Sequence, residues 1–232
     1  MKWSLGLVLL LLLAPSVARS AEYSAQPLKE APPAELSEEI AAKLAPGGWK
    51  VMQGEKRVVC EIWPAKAWAA KADFEPSDTV FVPLEPGSLV GVLRFTRKGA
   101  DFRGQEIPAG LYTLRYANQP VDGNHVGTFA TRDFLVMLPA SADQSAKPIA
   151  DMDLFKLSAQ SAESNHPAIV PLVKPEEGDA EPLKHFEEQD WWTLRLPGPG
   201  RQRGQDRSAT GRGGQGRRVT LMRSAQGRGY DA

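Results

Sequence analysis

The sequence predicts a mainly β protein, an antiparallel β-sandwich with two short helices, and three observations predict it. Several short segments alternate apolar and polar residues with period two, clusters of Gly, Pro and Asp separate them, and only two stretches carry helical spacing. The chain has 232 residues, which suits one medium domain with tails. Hydrophobic residues make up 42% and charged residues 24%, ordinary globular values that argue against wholesale disorder.

Lys2, the leucine-rich run over 5–13 and the small-residue stretch Ala14-Pro15-Ser16-Val17-Ala18 form the three-part layout of a secretory signal peptide over 1–20. Cleavage is expected after Ala18 or Ser20. The apolar run is too short to cross a hydrocarbon core of about 30 Å as a permanent helix, so no transmembrane anchor is expected after cleavage. The expected location is periplasmic or extracellular. Residues 21–33 are polar and proline-bearing and read as a flexible lead-in to a β-sandwich domain over 34–196.

Leu36, Ile40 and Leu44 recur at helical spacing, acidic residues crowd the first half of that segment, and Pro46-Gly47-Gly48 stops it. The strands follow. Over 57–63, alternation places Val58, Cys60 and Ile62 on one face. The segment 88–95 is rich in Val and Leu, and over 111–116 the core side is Tyr112, Leu114 and Tyr116. The nearly continuous apolar run 133–138 suits a strand covered on both faces. Shorter strands are expected at 79–82, 168–173 and 191–196. The second helix is expected over 151–161, with Asp151 as its N-cap.

The segment Pro108-Ala109-Gly110-Leu111-Tyr112-Thr113-Leu114 couples a Pro/Gly turn to a Tyr-x-Leu strand. It resembles the turn-to-strand corner of prealbumin-like and immunoglobulin-like exported bacterial domains. With Asn124-His125-Val126-Gly127, Thr131-Arg132-Asp133-Phe134 and Asn165-His166-Pro167-Ala168, the stretch over 35–196 is similar to a group of small exported bacterial proteins of unknown function. That resemblance implies a secreted β-rich fold and carries no activity or catalytic residue. Its pattern also implies one more apolar strand after Leu196, where this chain turns to Gly and Arg.

Charge is unevenly spread. Over 21–196 there are 18 basic and 26 acidic residues, a net of −8; over 197–232 there are 8 arginines against Asp206 and Asp231, a net of +6. Three readings describe that basic Gly/Arg-rich tail: a disordered extension, a cationic arm that touches anionic surfaces non-specifically, or translation in a shifted frame. On the first reading its removal leaves fold stability unchanged, and a missing last strand would leave 191–196 as an open sheet edge. One RGG step, Arg212-Gly213-Gly214, is too little for specific nucleic-acid binding.

The single cysteine, Cys60, excludes an intramolecular disulfide framework and a multi-thiolate metal site. Its alternation with apolar neighbours marks it as a small buried hydrophobe. No nucleophile elbow and no phosphate-cradling glycine loop is present. Trp63, Trp68, Trp191 and Trp192 read as core and strand-edge residues rather than a sugar platform.

The fifteen-residue connection 118–132 is longer than a hairpin needs. It holds Asp122, Asn124, His125 and Arg132, and a second Asn-His step, Asn165-His166, follows Glu163. If both loops share one end of the sandwich, His125 and His166 supply imidazoles and Asp122, Asp133 or Glu163 an oxygen, a donor set for a divalent metal. Against it, Asp122-Gly123-Asn124 is a turn signal in its own right, and no spacing pre-assembles two histidines on one element. Asn124, Asn165 and Arg132 are candidate ligand contacts. His185, in an acidic segment, is expected to face solvent.

Three classes of function follow. The leading expectation is a non-catalytic ligand- or partner-binding domain with no cofactor. The second is a metal-dependent enzyme or metal-binding protein using His125 and His166, and the third is a structural accessory domain.

Overall fold

The computed structural model describes residues 23–68, 70–125, 127–174, 176 and 178–196, and the backbone of 217–223. The expected signal peptide and the tail segments 197–216 and 224–232 lie outside the described residues. The elements, in chain order, are β1 (Tyr23–Leu28), α1 (Glu38–Ala41), β2 (Gly48–Gln53), β3 (Arg57–Pro64), β4 (Leu89–Phe95), β5 (Gly99–Ala100), β6 (Glu106–Ile107), β7 (Gly110–Asn118), β8 (Asp133–Pro139), α2 (Asp151–Ser161), β9 (Ile169–Val173), β10 (Leu183–Phe186), β11 (Trp191–Leu196) and β12 (Arg217–Arg223).

Ten strands form one antiparallel sheet in the order β1-β2-β3-β4-β7-β8-β9-β12-β11-β10, and β5 and β6 pair separately. The sheet curls. Val51, Ile62, Leu93, Leu114, Leu135 and Met137 from one part share a core with Leu172, Leu194 and Leu196 from the other. The mainly β, antiparallel class with two short helices is as the sequence predicts.

The helices cover the opposite face. Ile40 of α1 packs with Leu36, Leu44, Trp63, Leu89 and Val92, and Leu154 of α2 packs with Ala117, Val136 and Leu138. This explains the unbroken apolar run of β8, whose Leu135 and Met137 face the inner core while Val136 and Leu138 lie under α2. The α2 bounds coincide with the expected helix. Its N-cap, however, is Ala150, with no side-chain cap bond, so Asp151 is the first helical residue and acts through the dipole. The other helix is one turn capped by Ser37, whose Oγ accepts from the Ile40 N–H at 3.3 Å.

Several expectations are corrected. Residues 23–28, read as flexible lead-in, are a strand along β2. No strand forms at 79–82. A bulge opposite Val51 and Met52 interrupts the alternation of β3, so Val59 rather than Val58 packs on the core beside Cys60 and Ile62. Cys60 is buried, and burial pushes its thiol up to about 12, which leaves no thiolate at neutral pH. Within the tail, Arg217–Arg223 is a strand that pairs with β11 on one side and β9 on the other. The edge expected to be open at 191–196 is therefore paired on both sides.

Interior polar groups are spent on the fold. Arg115 uses all five guanidinium donors: two on Asp143, and the rest on the carbonyls of Gly87, Lys147 and Ser145. Gly87 has φ +84°, and a Cβ there would sit 2.0 Å from the Ile149 carbonyl oxygen, so glycine is required where the loop closes on this hub. At the β6–β7 corner, the Tyr112 hydroxyl donates to the Pro108 carbonyl at 2.8 Å, pinning the Pro-Ala-Gly turn to the strand it feeds.

Candidate functional site

Three loops gather at one end of the sheet. Phe102 from the 101–105 loop donates its N–H to the Ile169 carbonyl at 2.9 Å, and Gln105 Nε2 reaches the Pro167 carbonyl at 3.1 Å. Phe129 from the 118–132 loop meets Phe102 edge-on at 5.4 Å and stacks on Trp191 at 5.3 Å. Asp101 is buried and organises the junction: it accepts from the N–H groups of Arg103, Gln105 and Ile169 and from Gln105 Nε2.

Within that end, the two Asn-His steps do different things. His125 Nδ1 lies 2.7 Å from Asp122 Oδ1, which also accepts the Asn124 N–H at 3.0 Å. The His125 bond holds the Asp122 carboxyl below its ordinary range. His166 is half-buried and donates from Nδ1 to the Pro167 carbonyl at 2.9 Å, which leaves Nε2 as a lone pair. Burial is the largest influence on its pKa and lowers it, against the opposing pull of the Pro167 carbonyl.

The expected oxygen donors do not join them. Asp133 is fully buried: Oδ2 accepts the Phe81 N–H at 2.7 Å, and Oδ1 accepts the Tyr116 hydroxyl at 2.5 Å and Asn118 Nδ2 at 3.3 Å. It anchors the start of β8. Arg132 is likewise occupied, with its Nε donating to the Gln119 carbonyl at 2.9 Å and its N–H to Thr79. Among the described residues no three His, Cys, Asp or Glu side chains stand together as a metal-binding group. Asn124 is exposed in its turn.

Glu163 and Asn165 line a shallow groove of about 590 Å³ beside α2. Its apolar part is Phe155, Ala159 and Pro167, and its polar part adds Lys156, Gln160 and Ser164 to those two residues. Glu163 has a left-handed backbone, φ +48°, uncommon for a residue with a Cβ. Lys156 and Gln160 had no signal in the sequence beyond lying on the polar face of an expected helix. Only the packing of α2 on β8 shows which loop they face.

A second cluster closes the sheet away from this groove. His185, expected in solvent, is half-buried: its ring stacks on Trp192 at 4.4 Å and 8°, and Nε2 lies 2.8 Å from Asp190 Oδ1. Trp191 and Trp192 engage different neighbours, the phenylalanines on one side and His185 with Tyr23 on the other, as adjacent residues in a strand must. Among the described residues no helix is long and apolar enough to cross a membrane. No family model, curated protein or solved structure matches the chain.

Proposed function

We propose that this chain is an exported, non-catalytic binding domain that takes a small ligand on the loop end of its curled sheet. One observation carries the reading. The buried polar residues Arg115, Asp143, Asp133 and Asp101 are committed to protein partners that hold the fold, whereas the exposed side chains of Lys156, Gln160, Glu163 and Asn165 line the shallow groove beside α2. A reaction needs a nucleophile or base within hydrogen-bond reach of the reacting group and a third group that orients it. Among the described residues no two titratable side chains lining the groove are in contact, and the His125–Asp122 pair serves a surface turn. Export rests on the signal-peptide layout of 1–20, and it brings the domain to the periplasm or the extracellular space.

Chemical-shift titration of the full-length chain tests the reading with three probe classes: a short peptide, a monosaccharide and a dicarboxylate. Perturbations gathered on 118–132 and 155–167, with the added molecule recovered unchanged, are the expected result. No perturbation there by any class, or turnover of a probe, overturns it.

A further inference from the structure

We infer that Trp191 is the seat for an aromatic ring of a ligand, that Phe129 occupies this seat in the free protein, and that the loop carrying Phe129 lifts as a lid when the ligand enters. The inference goes beyond the binding-domain reading, because neither residue lines the groove beside α2.

The 118–132 loop has a fixed base and a lightly held tip. At the base, Gln119 donates its N–H to the Arg132 carbonyl at 2.8 Å, and Arg132 Nε returns a bond to the Gln119 carbonyl at 2.9 Å. Thr131 Oγ1 donates to the Leu172 carbonyl at 3.1 Å. Among the described residues, the hydrogen bonds of 120–130 all stay inside the loop, joining Asp122, Asn124, His125 and Thr128 to one another and to Gln119. The described residues of 121–130 are exposed except His125 and Phe129, and His125 is turned onto Asp122. Phe129 is thus, among the described residues, the tip's one ring or hydrogen-bonded hold on the rest of the fold. It stacks on Trp191 at 5.3 Å and 26°, and meets Phe102 and Phe134 edge-on at 5.4 and 5.7 Å. A loop latched by one ring opens locally at small cost, and active-site and binding lids are drawn from such segments.

The latched state also leaves a polar group unsatisfied. Trp191 Nε1 is shut off from solvent and has no hydrogen-bond partner, a condition that, among the described buried side-chain polar atoms, only Trp68 Nε1 shares. A buried donor without an acceptor costs free energy. Lifting Phe129 lets water or a ligand acceptor reach the indole and removes that cost.

Phe129 shows what the seat accepts: a flat six-membered ring lying close to parallel with the indole, with the Phe102 ring edge-on to it. Stacked and edge-on contacts at these separations are the favoured arrangements of aromatic pairs, and a saturated ring has no π-face to offer. The ligand class is therefore a molecule with one accessible aromatic ring. Ligand and Phe129 exclude each other, so the apparent affinity is the seat's own affinity reduced by the fraction of open lid.

Calorimetric and NMR titrations of the full-length protein with N-acetyl-phenylalanine amide and its cyclohexylalanine analogue test this. The phenylalanine amide should bind and shift the Trp191 indole and 118–132, and the cyclohexyl analogue should bind more weakly. Phe129→Ala removes the internal occupant and should tighten the phenylalanine amide about two- to tenfold, the worth of one aromatic pair. Phe129→Leu, which keeps an apolar side chain without a ring, should act in the same direction. In both variants hydrogen exchange over 120–130 should quicken while β7 and β8 stay protected. Trp191→Leu should abolish the shifts. No binding to the wild type or to either Phe129 variant, or unchanged or weaker binding after the Phe129 changes, overturns the inference. If the probes of the groove shift 155–167 while the phenylalanine amide leaves Trp191 unmoved, the seat fails and the binding-domain reading stands.

Discussion

Arg115 and Asp143 meet in the protein interior through two parallel hydrogen bonds, Nε to Oδ2 at 2.6 Å and Nη2 to Oδ1 at 2.7 Å, with both side chains out of contact with solvent. Thr113 adds a third bond to the carboxylate. Because the remaining guanidinium donors go to loop carbonyls, the pair ties β7 to the 143–147 segment and to the Gly87 turn.

Removing one partner leaves the other charge buried and unpaired. Asp143→Ala should therefore cost about 3–5 kcal/mol, measured from denaturant midpoints. Arg115→Met combined with Asp143→Leu should cost clearly less than the sum of the single changes. Simple additivity would show that the two residues act independently.

Burial, then the Asp133 bond, raises the Tyr116 hydroxyl pKa, and burial chiefly raises Tyr23 and Tyr112. A raised folded pKa contributes stability that is complete below the unfolded value of about 10 and disappears as pH climbs through the folded one. Three of the four tyrosines should thus ionise late in an ultraviolet titration, with unfolding free energy falling only in that alkaline range. Tyr116→Phe should cost about 1–3 kcal/mol by leaving Asp133 short of a donor. Four tyrosines titrating together at the ordinary value would contradict the burial argument.

His125→Ala and His166→Ala should each shift the melting temperature modestly, because each ring supports a turn rather than a ligand set. Elemental analysis of the purified full-length protein is expected to show no stoichiometric zinc. Near-equimolar zinc that either variant loses would install the metal-dependent reading instead.

Truncation after Leu196 removes β12, which makes six residue pairs with β11 and two with β9. The shortened chain should melt lower by at least about 2–4 °C, the shift expected for 1 kcal/mol at this size, and it should aggregate more readily through the exposed β9 and β11 edges. Matching melts and solubility of the two chains would restore the reading of a tail that adds nothing to the core.

Mature protein from an exporting host should begin at Arg19 or Ala21. N-terminal mass spectrometry that finds Met1 intact in the exported pool would end the export proposal.

Period-two alternation located β3 and β7, apolar runs located β4 and β8, and helical spacing located α2, because each of these is a local property of its element. It failed where partners decide the outcome. The polar segment 23–28 has no strand signature of its own, yet β2 offers it a hydrogen-bonding edge and Trp192 packs against Tyr23 at 5.1 Å. The Val219-Thr220-Leu221 stretch is too poor in apolar residues to order itself; in the sheet, Val219 pairs with Leu194 of β11 and Leu172 of β9, and Thr220 pairs with Thr193 of β11.

By itself, then, the sequence determined the β class, the second helix, the inward Tyr112, Leu114 and Tyr116, the inert Cys60 and the presence of two Asn-His loops. Only the tertiary structure decided that Asp133 belongs to Tyr116 rather than to His125, that Arg132 holds a backbone carbonyl, and that Glu163 and Asn165 share a groove with Lys156 and Gln160. The physical reason is distance along the chain. Which carboxylate meets which donor depends on how the sheet curls and where α2 lies on β8, and those are non-local packing choices that no window of residues encodes.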